Sequence, residues 1–152
     1  MGRSKKAKIT NTTFSQIVQP DYNGDWNHNI VWSFKDIDIE PSIPWNMGNE
    51  RMIEFWPMII DRLREFETNS LNYIFVHCKK QNHSIDASTL NKRAVRRLQE
   101  LYIETEDIYS LRIGGGLRLY GYIIGYVYYI IWYDDNHGDN DVCVCRSKLK
   151  HT

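Results

Sequence analysis

The residues of this 152-residue chain best suited to chemistry fall between Asp107 and His137. Arg112, Arg118, Tyr120 and Tyr122 alternate with apolar residues there. In the run Leu117 to Ile123, Leu117, Leu119, Gly121 and Ile123 share one face of an extended chain, and Arg118, Tyr120 and Tyr122 share the other. An apolar face backed by arginine and tyrosines predicts a half-buried sheet whose second face is free to bind. The same stretch ends abruptly in Asp134-Asp135-Asn136-His137, and titratable groups at the end of a rigid strand are well placed to form a site. Core packing explains the tyrosines equally well. Arg112 and Arg118 have a bland reading too, pairing with Asp107 or Asp134, which at an exposed position is worth at most about 1 kcal/mol.

A second basic set, Arg93, Arg96 and Arg97, lies on a helical segment and suits a phosphate backbone or an acidic partner as readily as solvent. Cys143-x-Cys145 with His137 or His151 offers three metal ligands, but C-x-C is not knuckle spacing and no metal or cofactor is expected. Gly114-Gly115-Gly116 belongs to a hairpin and not to a phosphate loop, which would join a strand to a helix.

Three antiparallel strands must carry the central residues: Ile108 to Ile113, Leu117 to Ile123, and Tyr126 to Tyr133. They are rich in Ile, Tyr and Val and broken at Gly114-Gly115-Gly116 and Ile124-Gly125. The third strand is apolar on both faces, which predicts an internal position covered on both sides. Upstream, Ile30 to Ile39 reads as a strand ended by Pro41 and Pro44. Apolar residues Ile53, Trp56, Ile59, Ile60, Leu63 and Phe66 predict a helix within Asn49 to Glu67, beginning near Pro57 or kinked there. Ser70 to Lys80 fits a short helix better than a strand. Gln81 to Ser84 reads as a loop containing His83. Ser88 then caps a helix to about Tyr102, buried along Leu90, Ala94, Leu98 and Leu101. The order predicts an α+β domain: one antiparallel sheet, made of the N-terminal strand and the meander, with two or three helices on one face.

Length supports one domain over residues 25–152, preceded by a basic, partly flexible extension at 1–24 with a short ordered piece around Phe14, Ile17 and Val18. Charge balances at 19 Lys+Arg against 19 Asp+Glu, so no global basic field advertises nucleic acid. Basic residues collect at both ends, and Asp134, Asp135, Asp139 and Asp141 form an acidic cluster. No apolar run approaches the roughly 20 residues that span a membrane. Three cysteines, with Cys143 and Cys145 too close for an easy bridge, fit a reduced cytoplasmic setting.

The pattern R-x-x-G, R-L-Y-G-Y, G-x-V-x-x-I-x-W and a following His resembles the C-terminal half of the RelE/ParE toxin superfamily, mostly over 107–137. Over about 30–152 the chain looks more like a group of bacterial and phage proteins of unassigned activity. The shared pieces are Trp32-Ser33-Phe34, Asn82-His83-Ser84-Ile85, Ser110-Leu111-Arg112-Ile113-Gly114, Trp132-Tyr133-Asp134 with His137, and Lys150-His151-Thr152. The resemblance implies a toxin of a toxin–antitoxin pair that cuts RNA without a metal, through attack of a ribose 2′-OH on the adjacent phosphate. It implies RNA or the ribosome as target and an antitoxin-like protein as partner. Arg112 falls on the family's first sheet arginine. Arg118 falls where an arginine holds the phosphate, Tyr120 where a tyrosine stacks on a base, and His137 where a group exchanges protons. The neutral charge and acidic cluster motivate the alternative, a non-catalytic phage or mobile-element accessory protein that binds a protein or nucleic acid.

Overall fold

The computed structural model describes residues 25–137 and 142–145. The piece around Phe14, Ile17 and Val18, both basic ends, Asp139 and Asp141 lie outside the described residues. Among those described, five strands form one mixed sheet: β1 (Val31–Ser33), β2 (His83–Asp86), β3 (Asp107–Gly114), β4 (Leu117–Ile124) and β5 (Val127–Asp134), in the order β1-β5-β4-β3-β2. The meander β3-β4-β5 is antiparallel, as the alternation and turn residues require. Gly115 (φ 51°) and Gly125 (φ 65°) take the left-handed conformation that its two turns need.

The sheet departs from a purely antiparallel one because β1 runs parallel to β5, Val31 opposite Val127. β1 is also shorter than the alternation from Ile30 to Ile39 suggested. After Ser33 the chain turns and lies along the rest of β5 as irregular backbone. Asp38 N donates to Ile131 O at 3.0 Å and Tyr133 N to Trp45 O at 3.1 Å, so this segment completes the β5 edge without being a strand.

Helices cover both faces of the sheet, not one. On the first face, α1 (Asn49–Met52), α2 (Trp56–Phe66) and a π-helical turn (Tyr73–His77) bury Met52, Ile59, Leu63, Phe66, Leu71, Ile74 and Phe75 against Tyr109, Leu111, Leu119 and Ile130. Pro57 sits in the first turn of α2, where its missing N–H costs nothing. The helical stripe is narrower than the spacing implied, since Ile53 is 72% exposed and Ile60 42%. On the second face α3 (Lys92–Glu100), with Ile43, Trp45 and Val144, buries Ala94 and Leu98 against Ile108, Tyr120, Ile131 and Trp132. α3 starts at Lys92 and not at Ser88. Asn91 caps it by accepting from Arg93 N, while Ser88 belongs to a separate turn capped by Asp86.

A bulge lets β5 serve both cores. Tyr120 pairs with Trp132 and Gly121 with Ile130, leaving Ile131 as the extra residue. Trp132 and Tyr133 consequently change parity relative to Tyr128 and Ile130, and all five residues from Tyr128 to Tyr133 other than Tyr129 are buried. At the far end Cys143 and Cys145 are bonded to each other as a disulfide, contrary to the reading that their spacing disfavours a bridge. Their backbone is held by Asn91 and Asp134, whose Oδ2 accepts from Val144 N at 2.7 Å.

Candidate functional site at the polar end of the sheet

Strand register aligns the second face in three rows. Ile85, Ile108, Tyr122 and Tyr129 form the first, His83, Ser110, Tyr120 and Trp132 the next, and Arg112, Arg118 and Asp134 the last. Ile85 packs with Ile108 in the second core, which fixes the odd residues of β2, His83 included, on this face. α3 covers the apolar rows. Beyond it lies a polar end at which Arg112 and Arg118 are half-buried, His83 and His137 are exposed, and Ser110 and Asp134 are buried beneath them.

Arg112 and Arg118 are direct cross-strand partners, and opposite positions bring side chains within about 5.5 Å at Cβ, where like charges repel. Among the described residues neither makes an ion pair. The Arg118 guanidinium donates to Gly115 O at 2.6 Å and Leu117 O at 3.1 Å, which aims it over the glycine turn. Burial lowers its pKa, and Arg112 lowers it further, partly opposed by Tyr120 and Asp134. Asp134 faces Arg118 across the ladder, but its carboxylate is turned to Asn136 N at 2.7 Å and Val144 N at 2.7 Å. Burial raises the Asp134 pKa, with those two bonds working against it. The outcome is a pair of adjacent cations that, among the described residues, make no ion pair and feel Asp134 only through space, an arrangement that an external phosphate or carboxylate relieves.

Tyr120 is fully buried, so it does not offer a ring for a base to stack on. Its hydroxyl instead reaches Ser110 and lies 3.5 Å from Nδ1 of the exposed His137. Burial, then the charge of Asp134, pushes the Tyr120 pKa up, so the hydroxyl stays protonated. His137 N donates to Gly116 O at 3.3 Å, tying the histidine to the same turn that holds Arg118.

Other residues named from the sequence are spent within the fold. The Tyr122 hydroxyl donates to Asp36, and its ring stacks on Tyr129 at 4.8 Å, away from the arginines. Arg97 forms a fork on the buried Asp38 at 2.9 and 3.0 Å. Arg93 donates to Ser42 O at 2.5 Å, while Arg96 is exposed and makes no bond among the described residues. The basic helix and the sheet arginines therefore do not converge on one site, and the Arg–Tyr face is largely covered.

The sequence reads His83 as a loop residue and assigns Ser110 no role, whereas strand pairing places both on this face. His-Ser-Ile-Asp has little strand propensity, and only pairing with β3 makes it β2; the sole local hint is the single apolar Ile85 between polar neighbours. Among the described residues no group of three His, Cys, Asp or Glu side chains gathers as metal ligands. No protein-family model, no curated protein and no solved structure matches this chain.

Proposed function

We propose that this protein is a metal-independent RNA-cleaving enzyme of the RelE/ParE toxin kind, acting at the polar end of its sheet. The observation that carries the reading is the cross-strand Arg112–Arg118 pair, without an ion pair among the described residues, with Arg118 and His137 bonded to the same glycine turn. The arginines hold a phosphodiester and stabilise the charge that grows on it as a ribose 2′-oxygen attacks. His137 accepts the 2′-OH proton. His83, on the same face, returns a proton to the departing 5′-oxygen. One P–O bond forms and one breaks, leaving a 2′,3′-cyclic phosphate and a 5′-hydroxyl. Tyr120 acts through His137 by accepting from Nδ1–H, which leaves the Nε2 lone pair free to take the proton. The buried ring takes no part in base stacking, and RNA is gripped by its phosphates.

Induced expression of wild type against Arg118→Ala/His137→Ala, with total RNA run on a gel and purified protein assayed on a model RNA, tests this. Wild type arrests growth and yields cyclic-phosphate ends. Loss of one proton-transfer group lowers the cleavage rate about 10²–10⁴-fold. Equal growth inhibition and cleavage in both would sink the proposal.

A second reading, an accessory protein that binds another protein, draws on exposed Phe34, Ile39 and Ile53 beside an open hollow of about 900 Å³ lined by Ile37, Ile43, Met47 and Trp56. It is favoured if expression is harmless, RNA stays intact and Ile39→Asp abolishes a stoichiometric complex recovered with wild type.

A further inference from the structure

The chain just before β2 is tied to the arginine pair by one buried residue. Asn82 Oδ1 accepts from Arg112 N at 2.9 Å, taking the ladder position a strand residue would fill. Its Nδ2 donates to Ile74 O at 3.4 Å, and its backbone N to Cys78 O at 3.0 Å. The turn Cys78–Asn82 is thus folded on itself and fastened to the edge beside Arg112. It exposes Lys79 and Lys80, and the next residue after Asn82 is the exposed His83. Among the described residues neither lysine makes an ion pair, and from Lys79 to Ile85 the chain carries no acid. The neutral protein has gathered Lys79, Lys80, Arg112 and Arg118 around one end of its sheet. Asp134, the carboxylate of that row, is buried and bonded to backbone.

We infer that Lys79 and Lys80 extend the arginine pair into a track for consecutive phosphates of a single RNA strand. The inference rests on the RNA reading above and deepens it by naming the substrate as a single strand longer than the scissile dinucleotide. From β2 to β4 the sheet spans roughly 10 Å, two strand spacings, and the turn carrying the lysines is fastened to its outer side through Asn82. One phosphate on the arginines does not cover this width. A single strand fits the chemistry as well, because in-line attack by a 2′-OH needs a backbone freed from duplex geometry. Asn82 acts as the positioning residue, holding the turn in register with Arg112.

The test is binding of the full chain to a ten-nucleotide 2′-O-methyl oligoribonucleotide, which lacks the attacking hydroxyl, across a salt series. Wild type is compared with Lys79→Gln/Lys80→Gln and with Arg112→Ala/Arg118→Ala, each checked for native circular dichroism. Removing two phosphate contacts should reduce the slope of log K against log salt by about 1.4, which places affinity at 0.1 M salt about 25-fold below wild type. If the lysine variant binds like wild type while the arginine variant is weakened, the track is wrong and the RNA reading stands. Should wild type itself fail to bind, both fall.

Discussion

Asp38 shows how far residue-scale chemistry departs from the local sequence. It lies in a stretch that alternates like a strand, yet its carboxylate is buried and receives Arg97, Trp132 Nε1 at 2.9 Å and Glu40 N at 3.2 Å. Burial would raise its pKa; the bonds from Arg97 and Trp132 outweigh burial and hold it below the ordinary carboxylate value. Arg97 is raised in turn by the same bond. Removing one partner of such a pair leaves an uncompensated charge, so Asp38→Ala should cost about 3–5 kcal/mol, read as a lower urea midpoint. A loss under about 1 kcal/mol would show that the pair does not clamp the segment. Because the folded pKa is depressed, the ionised pair contributes fully above the unfolded value near 3.9 and is lost as pH falls through the folded one. Stability measured from pH 7 to 2 should fall more steeply below about pH 4 in wild type than in Arg97→Met. Arg51 and Arg62 also hold carboxylates, Asp135 and Glu65, whereas among the described residues Arg112 and Arg118 make no ion pair.

At the scale of elements, the β4–β5 pair depends on one small residue. A Cβ built on Gly121 would lie 2.2 Å from Tyr129 O and 2.7 Å from Tyr128 Cε1. The obstacle is backbone on the neighbouring strand, held at the bulge that lets Trp132 face one core and Tyr133 the other, so it has little room to move. Gly121→Ala should cost about 3 kcal/mol, the upper end of ordinary overpacking, measured by thermal or urea unfolding. Gly114→Ala is the control: nothing lies within 4 Å of its Cβ, and its stability should stay near wild type. A sequence reading that sees Gly121 as one member of an apolar face misses this role, since the close approach is set by a register shift on another strand. The second-face tyrosines mislead for a similar reason. Arg118, Tyr120 and Tyr122 do share a face, but α3 and the Ile43–Trp45 segment cover most of it and leave the polar end open.

For the molecule as a whole, the consequence is a sheet buried on both sides, with β5 as its best-protected element. Tyr128, Ile130, Ile131, Trp132 and Tyr133 are fully buried, β4 flanks the strand, and β1 followed by the Asp38–Trp45 backbone closes its other edge. Hydrogen exchange should therefore be slowest at Ile130 to Tyr133 and much faster in β2, a four-residue edge strand. Equal protection in β2 and β5 would contradict this layering. Among the described residues no helix is long and apolar enough to cross a membrane. The edge that frays most easily is also the one carrying His83 and the lysine turn, so ligand binding at the polar end should protect β2 amides selectively.

The sequence by itself determined what depends on neighbours along the chain. Alternation and the glycines at 115 and 125 specify the three-strand meander, because period-two burial and positive φ are local requirements. Pro57 sets the start of α2 because its ring and missing N–H act within one turn. It also brought Arg112, Arg118 and His137 to one end of one sheet. Tertiary structure alone decided the rest. β2 exists because β3 offers it a ladder, and β1 is parallel because the chain enters beside Val127. Arg97 is withdrawn from the surface by Asp38, 59 residues away. Tyr120 is buried because α3 folds over it. Each of these outcomes turns on a partner distant in sequence, and such a partner leaves no periodicity in the residues it captures.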